Sequence, residues 1–376
     1  VIVEPGTEQV SLMDSLNRVP AQDVVSKIEM PPFDKSAMDG YAFSSDDRSE
    51  KYKIVETIPA GDTPTKTVHK GECAKIMTGA MLPEGADRVI KRENVTEQDG
   101  YMSIAEEETV KNICYKGEDL KIGDLVLESG SLIRPQEVAI IASMGLSAIS
   151  VYKKPLVGIL TTGSEIVEPG RELAAGQIYN SNAYSLSSQL LQVGAAVEYG
   201  GIAVDDKAGI RKQVDRLFEK CDMVIISGGV SMGDYDYVPE ILEEAGVKLY
   251  FQKVAVKPGK PTVFGLKGKK IFFGLPGNPV STFVIFEIFV KTFLYRMMGY
   301  DYRPLFIKGK MKRDFKRKKT RRTAFIPVQY RDGLVEAVEY HGSAHIYALS
   351  KANGLLQVPA GVKAVPQGST VDVRQV

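Results

Sequence analysis

Cysteine is scarce in this chain, which has three among 376 residues. Cys73, Cys114 and Cys221 lie far apart in sequence, and none belongs to a C-x-x-C pair. This spacing argues against a disulfide framework and against a cysteine-ligated zinc site. Because isolated cysteines fit a reducing compartment, we expect a cytoplasmic protein.

Histidine is equally scarce, with His69, His341 and His345 as the three examples. None of them lies in the loops that follow the apolar strands of the central region, so we do not expect nucleophilic catalysis that depends on a histidine base. His341 and His345 have the i, i+4 spacing of a zinc pair. No confirming glutamate accompanies them and a glycine lies between them, which disfavours a metal site.

The chain also lacks a long apolar segment and an excess of charge of one sign. No uncharged apolar run reaches ~18 residues, so we expect no membrane span. The formal net charge of +1 gives no overall field that would attract nucleic acid. One local exception is Lys308–Arg322, which holds ten Lys or Arg residues. Since Phe315 is its single aromatic residue, we favour a solvated hairpin over a nucleic-acid patch.

An apolar run in the middle of the chain ends abruptly at glycines. Met223–Ile226 is followed by Ser227-Gly228-Gly229, which is typical of a buried parallel strand whose end lies at a ligand-binding edge. A tight strand-to-helix turn without a ligand is the alternative. Similar apolar runs alternate with helical patterns between residues 154 and 299: Leu156–Leu160, Val197–Ala203 and Val247–Val256. In the same region, Asn180-Ser181-Asn182 predicts the N-cap of a helix that runs through Val193. The sequence therefore predicts a three-layer α/β domain with a largely parallel sheet.

The rest of the chain has shorter strand patterns. Residues 50–130 and 303–376 contain brief alternating runs separated by Gly, Pro and Asp, which is typical of β domains. Because a single core rarely grows beyond ~250 residues, a chain of 376 residues is expected to hold two to four domains. The predicted fold class is α/β plus β in several domains.

A helix start near residue 278 predicts an anion site. Asn278 can cap a helix, and Pro279 suits its first turn because the missing N–H is not needed there. We expect unpaired N–H groups and the helix dipole over Pro276, Gly277 and Asn278 to bind an anion, although a plain cap is the alternative. The cations expected beside it lie on the preceding strand and turn: Lys253, Lys257 and Lys260.

Three carboxylates follow predicted strands and should lie at the same edge of the sheet. Glu165, Asp205 and Asp236 would suit Mg²⁺, which keeps several waters and bridges one or two carboxylates to phosphate oxygens. The alternative for Asp205 and Asp236 is that each caps the helix behind it. The hydroxyls of Ser227 and Ser231 belong to the same predicted edge.

Eight stretches of this chain together resemble the molybdopterin molybdenumtransferase family, which comprises the MoeA proteins of bacteria and archaea and the E domain of gephyrin. The motifs occur in the family's order and span nearly the whole chain: PPFDKSAMDGYAF at 31–43, IMTGAMLPEGADRVI at 76–90, KGEDL at 116–120, TTGSEI at 161–166, GQIYNSN at 176–182, SGGVSMGDYDY at 227–237, VKPGKP at 256–261 and GLPGNPVS at 274–281. Each is weak by itself, and their order makes the resemblance specific.

The resemblance implies a subunit of four domains, usually in a homodimer. The implied domains are a split linker domain (1–25 and 124–152), an inserted β domain (26–123), a three-layer α/β molybdopterin-binding domain (153–299) and a small C-terminal β domain (300–376). The active site would lie between the α/β domain of one subunit and the inserted domain of the other. A molybdopterin adenylyltransferase is a further partner that the resemblance suggests.

The resemblance also implies roles for individual residues. The residues implied in catalysis are Asp39 and Asp119 from one subunit, and Glu165, Asp205, Asp236, Lys253 and Lys257 from the other. The implied Mg²⁺ ligands are Asp39, Asp205 and Asp236. The implied substrate-binding residues are Thr162, Gly163, Ser227, Gly228, Gly229, Ser231, Lys260, Pro276, Gly277, Asn278 and Ser281.

The implied reaction inserts molybdate into adenylylated molybdopterin and releases AMP, giving the molybdenum cofactor. We expect Lys257, Lys260 and the hydroxyls of Ser227 or Ser281 to hold molybdate, a tetrahedral dianion. Tungstate stays open as the metal substrate because the two oxyanions have nearly the same size and charge. Two other functions also stay open: a molybdopterin adenylyltransferase-like activity of the α/β domain, and a non-catalytic molybdopterin-binding or scaffold role.

Overall fold

The computed structural model describes residues 6–203, 207–230, 238–339 and 342–376. The chain divides into two compact units. The first contains the chain up to Ala21, Ser129–Arg134 and Ala148–Val376, and the second contains Gln22–Glu128 and Pro135–Ser147. None of the described helices has the length and apolar character that a membrane span requires.

The described part of the first 152 residues consists mainly of short strands. The strands are β1 (Thr7–Ser11), β2 (Val24–Val25), β3 (Lys35–Ser36), β4 (Gly40–Phe43), β5 (Tyr52–Ile58), β6 (Glu72–Ile76), β7 (Arg88–Lys91), β8 (Val95–Gln98), β9 (Tyr101–Ile104), β10 (Ile113–Cys114), β11 (Leu125–Leu127) and β12 (Ala148–Tyr152). The helix α1 (Pro135–Ser143) and the 3₁₀ turns Met13–Ser15 and Arg92–Asn94 complete the set.

The second unit is built around a six-stranded sheet with the order β7-β4-β6-β5-β9-β8, as the alternating runs predict. Strand β4 shows why the sequence folds this way. Tyr41 and Phe43 point to one face and pack with Tyr52, whereas Ala42 points to the other face and packs against Ile76. Because side chains alternate along a strand, this short segment contributes to two apolar clusters at once.

The middle of the chain alternates strands with helices. The strands are β13 (Leu156–Thr162), β14 (Ile166–Val167), β15 (Ile178–Tyr179), β16 (Ala196–Ala203), β17 (Met223–Ser227), β18 (Lys248–Phe251), β19 (Val256–Lys257), β20 (Val263–Lys267) and β21 (Lys270–Leu275). The helices are α2 (Ser181–Gln192), α3 (Lys207–Lys220), α4 (Val238–Glu244), α5 (Pro279–Ile285) and α6 (Lys291–Met297), with the π-helical turn Phe286–Val290 between the last two.

These elements form the predicted three-layer α/β domain. Its sheet has the order β16-β13-β17-β21-β20-β18, in which the first four strands are parallel and the last two pair antiparallel. Helices α2, α5 and α6 cover one face, where Leu186 and Val284 pack with Ile225. Helices α3 and α4 cover the other face, where Leu217 packs with Ile226. Strand β17 is buried on both sides, as its unbroken apolar run indicates.

The chain ends in a β domain that contacts the α/β domain. Its strands are β22 (Phe306–Met311), β23 (Phe315–Lys316), β24 (Thr323–Arg331), β25 (Leu334–Ala337), β26 (Gly354–Val358), β27 (Ala364–Val365) and β28 (Thr370–Gln375), with a 3₁₀ helix at Ile346–Lys351. Strands β24, β25, β22, β28 and β26 pair in a closed ring because β26 also pairs with β24.

Two expectations for this half of the chain are wrong. Val247–Val256 is not one strand: β18 is an edge strand anchored by Phe251 on Phe264, whereas β19 pairs in parallel with β24 of the C-terminal domain. Residues 252–255, which belong to neither strand, separate the two segments. The basic run Lys308–Arg322 is not a hairpin either, since β22 pairs with β28 and β25 and β23 pairs with β27.

Candidate functional site

The loops that follow three central strands meet at one edge of the α/β sheet. In the strand register, Thr161 of β13 lies beside Ser227 of β17, and Ser227 lies beside Leu275 of β21. The chain therefore leaves all three strands at the same level. This confirms that Ser227 lies at the same edge as the loops after β13 and β21, while residues 204–206 and 231–237 lie outside the described residues.

A cavity of about 660 Å³, here called the loop cavity, opens between these loops. Its lining combines apolar side chains with backbone of the glycine-rich turns. Among the described residues that line it, Glu165 is the one carboxylate, and there is no Lys, Arg or His. The predicted substrate-binding residues that line it are Thr162, Gly163, Gly228, Gly229, Pro276, Gly277 and Asn278. The cavity suits a largely neutral ligand.

Two glycines allow the close approach of these loops. Gly228 has φ of +101°, and a Cβ atom there would lie 2.4 Å from the carbonyl oxygen of Thr162. Gly163 has φ of +150°, and a Cβ atom there would lie 2.6 Å from a carboxylate oxygen of Glu165. The positive φ favours glycine at both positions, and at Gly228 the contact with backbone also leaves no space for a side chain.

Asn180 joins the next loop to the sheet. Its side-chain oxygen accepts from the N–H of Ala183 at 3.2 Å, which confirms the predicted cap of α2. Its Nδ2 donates to Thr161 Oγ1 at 3.0 Å and to Tyr199 Oη at 2.8 Å. Tyr199 in turn donates to Glu168, which also accepts from Tyr184. This network fixes the segment that carries Glu165.

A second cavity of about 950 Å³, here called the basic cavity, lies beside the first and shares three lining residues with it. The shared residues are Pro261, Pro276 and Asn278. Six basic residues line the basic cavity: Lys257, Lys260, Lys316, Arg317, Lys318 and Arg322. Among its described lining residues there is no Asp or Glu. This concentration of positive charge is typical of an anion site.

Arg317 gives the basic cavity a fixed positive charge. The residue is 8% exposed, and its guanidinium donates to the backbone carbonyls of Val362, Arg322 and Pro359. Burial lowers the pKa of Arg317 from its ordinary value, but an arginine keeps its charge in proteins. No carboxylate pairs with it among the described residues. The charge is thus held in place without being neutralised.

The start of α5 offers fewer hydrogen-bond donors than the sequence predicts. Asn278 occupies the cap position and Pro279 the first turn, as expected, but the Asn278 side chain makes no capping bond. Its Nδ2 instead donates to Ser343 Oγ at 3.0 Å, and the carbonyl of Ser343 accepts from the N–H of Val280 at 3.0 Å. The C-terminal domain therefore uses a donor that we expected to face an anion.

Asp39 lies in the second unit and is exposed. Its Oδ1 accepts from the backbone N–H of Thr78 at 2.7 Å and from the Thr78 hydroxyl at 2.8 Å. These two hydrogen bonds, with a smaller contribution from Arg92, hold the pKa of Asp39 below its ordinary value. The described residues give its Oδ2 no donor. One oxygen of an ionised carboxylate therefore faces solvent.

Asp119 lies in another part of the same unit. Its backbone N–H donates to the Met30 carbonyl at 3.0 Å, and its side chain lines a cavity of about 760 Å³ together with Glu29, Lys35 and Glu118. Asp39 is not among the residues that line this cavity. The two carboxylates are therefore not joined in a single cavity of this unit.

The comparisons with known proteins agree along the whole chain. Family models match in consecutive stretches: the MoeA N-terminal region (domain I and II) at residues 1–145, the probable molybdopterin binding domain at 158–296 and the MoeA C-terminal region (domain IV) at 308–376. A molybdopterin molybdenumtransferase of Staphylococcus aureus strain Mu50 is 35% identical over 97% of this chain and 90% of that protein. The chain belongs to the molybdopterin molybdenumtransferase family.

Further members of the molybdopterin molybdenumtransferase family show the same extent of likeness. The protein of that name from Staphylococcus epidermidis strain RP62A is 32% identical over 99% of this chain and 91% of its own length. The crystal structure of the molybdopterin biosynthesis moeA protein from Pyrococcus horikoshii OT3 has a TM-score of 0.86 at 30% identity, over 99% of this chain and 95% of that chain. These matches confirm the predicted family and fold class, and the boundaries of the four domains stay a prediction.

The lysines that the family resemblance singles out are placed differently from one another. Lys257 and Lys260 line the basic cavity, and β19 fixes Lys257 by pairing with Ala324. Lys253 is exposed and is not among the residues that line either cavity. Ser281 is buried in the wall of the basic cavity. The catalytic role of Lys253 stays a prediction without a contact to support it.

Three predicted site residues, Ser231, Asp205 and Asp236, lie outside the described residues. Two of them belong to the predicted Mg²⁺ ligands, so Asp39 is the member of that set whose surroundings are known. Within the described residues no group of three or more His, Cys, Asp or Glu side chains is arranged to hold a metal ion. The metal set as a whole stays a prediction.

The sequence analysis missed the basic residues that the C-terminal domain supplies. Lys316, Arg317, Lys318 and Arg322 all belong to the run that we expected to be a solvated surface. The signal was present in its composition, because a dense positive run with Asp314 as its one acid has few internal charge partners. What the sequence could not show is that β19 and β24 bring this run beside Lys257.

Proposed function

We propose that this chain is a molybdopterin molybdenumtransferase, which inserts molybdate into adenylylated molybdopterin and releases AMP during molybdenum cofactor biosynthesis. Its nearly full-length likeness to proteins of that name supports the assignment. The observation that carries it is the pairing of a largely neutral cavity with a basic cavity along a shared wall. The substrates match this pair of cavities. Adenylylated molybdopterin contains flat heterocycles joined to phosphates, and the second substrate, molybdate, is a dianion.

The heterocyclic part of the substrate suits the loop cavity. Ile166, Ile178, Tyr179 and Val230 give that cavity apolar walls, and concave apolar sites with a few polar groups are typical of small-molecule binding. Glu165 and the glycine-rich turns supply the polar contacts. We propose that Thr162, Gly163, Gly228 and Gly229 line the path along which the ligand enters.

The anionic parts suit the basic cavity. Lys257 and Lys260 face it from the α/β domain, while Lys318 and Arg322 face it from the C-terminal domain. We propose that these side chains hold the phosphate groups and the molybdate dianion, because charge-assisted hydrogen bonds to oxyanions are about twice as strong as neutral ones. The buried hydroxyl of Ser281 would add one further donor. Molybdate is the proposed metal substrate, and tungstate is the competitor to test against it.

Release of AMP requires cleavage of the phosphoanhydride. A water oxygen forms a bond to phosphorus as the bridging P–O bond breaks. The departing phosphate takes the electron pair of that bond, and the water gives up a proton to solvent. Lys257 and Lys260 would stabilise the negative charge that develops, because both line the basic cavity. Glu165 and Asp236 would orient the water. We propose that the two dithiolene sulfurs then bond to molybdenum, while one oxygen of molybdate leaves as water with the two thiol protons.

We further propose dependence on Mg²⁺, with Asp39, Asp205 and Asp236 as ligands. The surroundings of Asp39 fit this role, since its lowered pKa keeps it ionised and its Oδ2 has no donor among the described residues. Mg²⁺, when bound, neutralises phosphate oxygens and favours ionisation of a bound water. Thr78 fixes the Asp39 carboxylate for this purpose through two hydrogen bonds.

We propose a cytoplasmic homodimer, in which Asp39 and Asp119 of the partner subunit complete the site on the α/β domain. The support is the resemblance, which assigns both residues to the family's motifs. A molybdopterin adenylyltransferase is the proposed source of the substrate and a candidate partner protein. Sedimentation of the wild-type chain over a range of concentrations tests the dimer, and a monomer at the concentrations of the activity assay contradicts it.

The central experiment incubates the purified chain with adenylylated molybdopterin, molybdate and Mg²⁺ and measures AMP. We expect AMP release that requires molybdate. A parallel reaction with molybdopterin and ATP tests the adenylyltransferase alternative by the appearance of adenylylated product. Binding of molybdopterin without AMP release or adenylylation would favour the non-catalytic role and would contradict our proposal.

Two substitutions test the proposed metal ligands. We expect Asp39→Ala and Asp205→Ala to abolish AMP release while leaving the fold intact, as measured by circular dichroism. Asp62→Ala is a matched control because Asp62 is an exposed carboxylate of the same unit as Asp39 and lines no cavity described above. Full turnover by Asp39→Ala would remove that residue from the site.

A further inference from the structure

Asn182 lies in the first turn of α2 and is 8% exposed. Its Nδ2 donates to Ser227 Oγ at 2.8 Å and to the carbonyl oxygen of Gly277 at 2.7 Å. Both hydrogens of a single amide are therefore used. The orientation of the amide is fixed, because a backbone carbonyl can only accept and must face the nitrogen.

The two partners of Asn182 belong to different loops of the candidate site. Ser227 is the last residue of β17 and precedes Gly228, whereas Gly277 follows β21 and precedes Asn278. Ser227 Oγ passes the connection on by donating to the carbonyl of Pro276 at 3.3 Å. One asparagine on a helix thus joins the ends of the two central strands.

We propose that Asn182 is a positioning residue that holds the two glycine-containing walls of the loop cavity at the spacing the heterocycle requires. The identity of that ligand rests on the proposed function. Asn182 and Ser227 shape the cavity through the loops they join, and Asn182 also lines that cavity, whereas Ser227 does not. Ser227 belongs to this connection, since it is 1% exposed and bonded to Asn182 and Pro276. Its direct contact with molybdate stays a prediction.

The local geometry shows why the loops depend on this connection. Gly228 has a positive φ and approaches Thr162 closely, and its N–H donates to the Leu275 carbonyl at 3.1 Å. Pro276 has no N–H to contribute. Without the amide of Asn182, the Gly277 carbonyl loses its donor and Ser227 can rotate, so the cavity walls lose two of the bonds that set their separation.

Asn182 lines the loop cavity, which distinguishes it from Gln189, the other buried amide of α2. The Oδ1 of Asn182 is buried and has no hydrogen-bond partner among the described residues. An unsatisfied buried acceptor is unfavourable, and a leucine of the same shape would avoid it. The benefit of an asparagine here therefore lies in the two bonds that it makes to the loops.

Gln189 offers a matched control on the same helix. It is 5% exposed, its Nε2 donates to Glu287 Oε1 at 3.1 Å and to the Phe283 carbonyl at 3.4 Å, and its Oε1 also has no partner among the described residues. Gln189 thus joins α2 to the helices behind it and makes no bond to the loops. Asn182→Leu and Gln189→Met each remove a buried amide from α2 with little change of shape.

The test measures molybdopterin binding by calorimetry and amide hydrogen exchange in the full chain. We expect Asn182→Leu to weaken binding about tenfold or more and to speed exchange in peptides that cover 224–230 and 272–278. We expect Gln189→Met to change neither. In the AMP assay, Asn182→Leu should raise KM for adenylylated molybdopterin more than it lowers kcat, since its effect is on the shape of the binding cavity.

A double-mutant cycle separates positioning from direct contact. If Asn182 acts through Ser227, Ser227→Ala should weaken molybdopterin binding less in the Asn182→Leu background than it does in the wild type. Asn182→Gln keeps both donors and should recover part of the binding. Asn182→Ser, a smaller change, serves if the leucine variant does not fold.

Three outcomes would overturn the proposal. The first is that Asn182→Leu keeps wild-type molybdopterin affinity and unchanged amide exchange. The second is that Asn182→Leu and Gln189→Met lose the same amount of molybdopterin affinity. The third is that the effects of Asn182→Leu and Ser227→Ala on the binding free energy are fully additive. If the wild-type chain releases no AMP, the proposed function fails separately. The exchange comparison still tests the inference, since it needs neither turnover nor ligand.

Discussion

Lys318 provides the sharpest test of the basic cavity. It is exposed, lines the cavity from the C-terminal domain, and lies next to Lys319, which does not line it. Lys318→Met removes one positive charge from the cavity, and Lys319→Met removes the same charge from the adjacent surface. Because the two variants have the same net charge, a difference between them reports position.

The magnitude follows from the exposure of Lys318. For exposed groups the dielectric constant of water applies, and two unit charges at 4 Å then interact by about 1 kcal/mol. Molybdate carries two charges, so contact with Lys318 contributes about 2 kcal/mol at low salt, and less where screening is strong. At 1.4 kcal/mol for a factor of ten, the half-saturating molybdate concentration should rise about tenfold to thirtyfold.

The assay measures AMP release as a function of molybdate concentration at low and at high ionic strength. Lys318→Met should shift the half-saturating concentration upward at low salt and less at high salt, with little change in the maximal rate. Lys319→Met should stay within about twofold of the wild type. Equal shifts in the two variants would show a general effect of net charge and would refute the assignment of molybdate to this cavity.

Three further predictions concern groups that shape the sites. Arg317→Met should lower the free energy of unfolding by about 1 to 3 kcal/mol, because three backbone carbonyls in partly buried hydrogen bonds lose their donor, and denaturant unfolding measures this. Gly228→Ala should impair AMP release far more than Gly246→Ala, since both have positive φ but a Cβ has open space at Gly246. Thr78→Val should raise the pKa of Asp39 toward its ordinary value, because the hydroxyl that donates to the carboxylate is removed. On acidification, Asp39 of the variant should therefore become protonated at a higher pH than in the wild type. The chemical shift of its carboxyl carbon in an NMR titration measures this pKa.

The sequence predicted the α/β core because its signals are local. The apolar run of β17 and the cap at Asn180 each depend on neighbouring residues, and both are confirmed. The prediction of one strand at Val247–Val256 is wrong, because the residue pattern shows that a segment is extended without showing which sheet it joins. Pairing with β24 decides that question, and its partner Thr323 lies more than sixty residues further along the chain.

Side-chain partners were less predictable than elements. Asn278 occupies the cap position that the sequence indicates, yet Ser343 takes its amide because the C-terminal domain lies against the helix start. Asn182 was assigned to a cap segment, and its bonds to Ser227 and Gly277 depend on the spacing of α2 from two strand ends. Motif resemblance identified Asp39, which no local pattern marks as functional.

In the proposed function, the basic cavity binds the anions and the loop cavity binds the heterocycle. In the basic cavity, Arg317 is fixed by three carbonyls and cannot turn toward a ligand, so it contributes a constant field, while Lys257 and Lys318 can adjust to the anion. In the loop cavity, Glu165 is the one carboxylate and no cation is present among the described lining residues. Because anion binding depends on charge and heterocycle binding depends on shape, salt should weaken the first and leave the second almost unchanged. Molybdopterin affinity should therefore respond to the spacing set by Asn182, and molybdate affinity to the charges of the C-terminal domain.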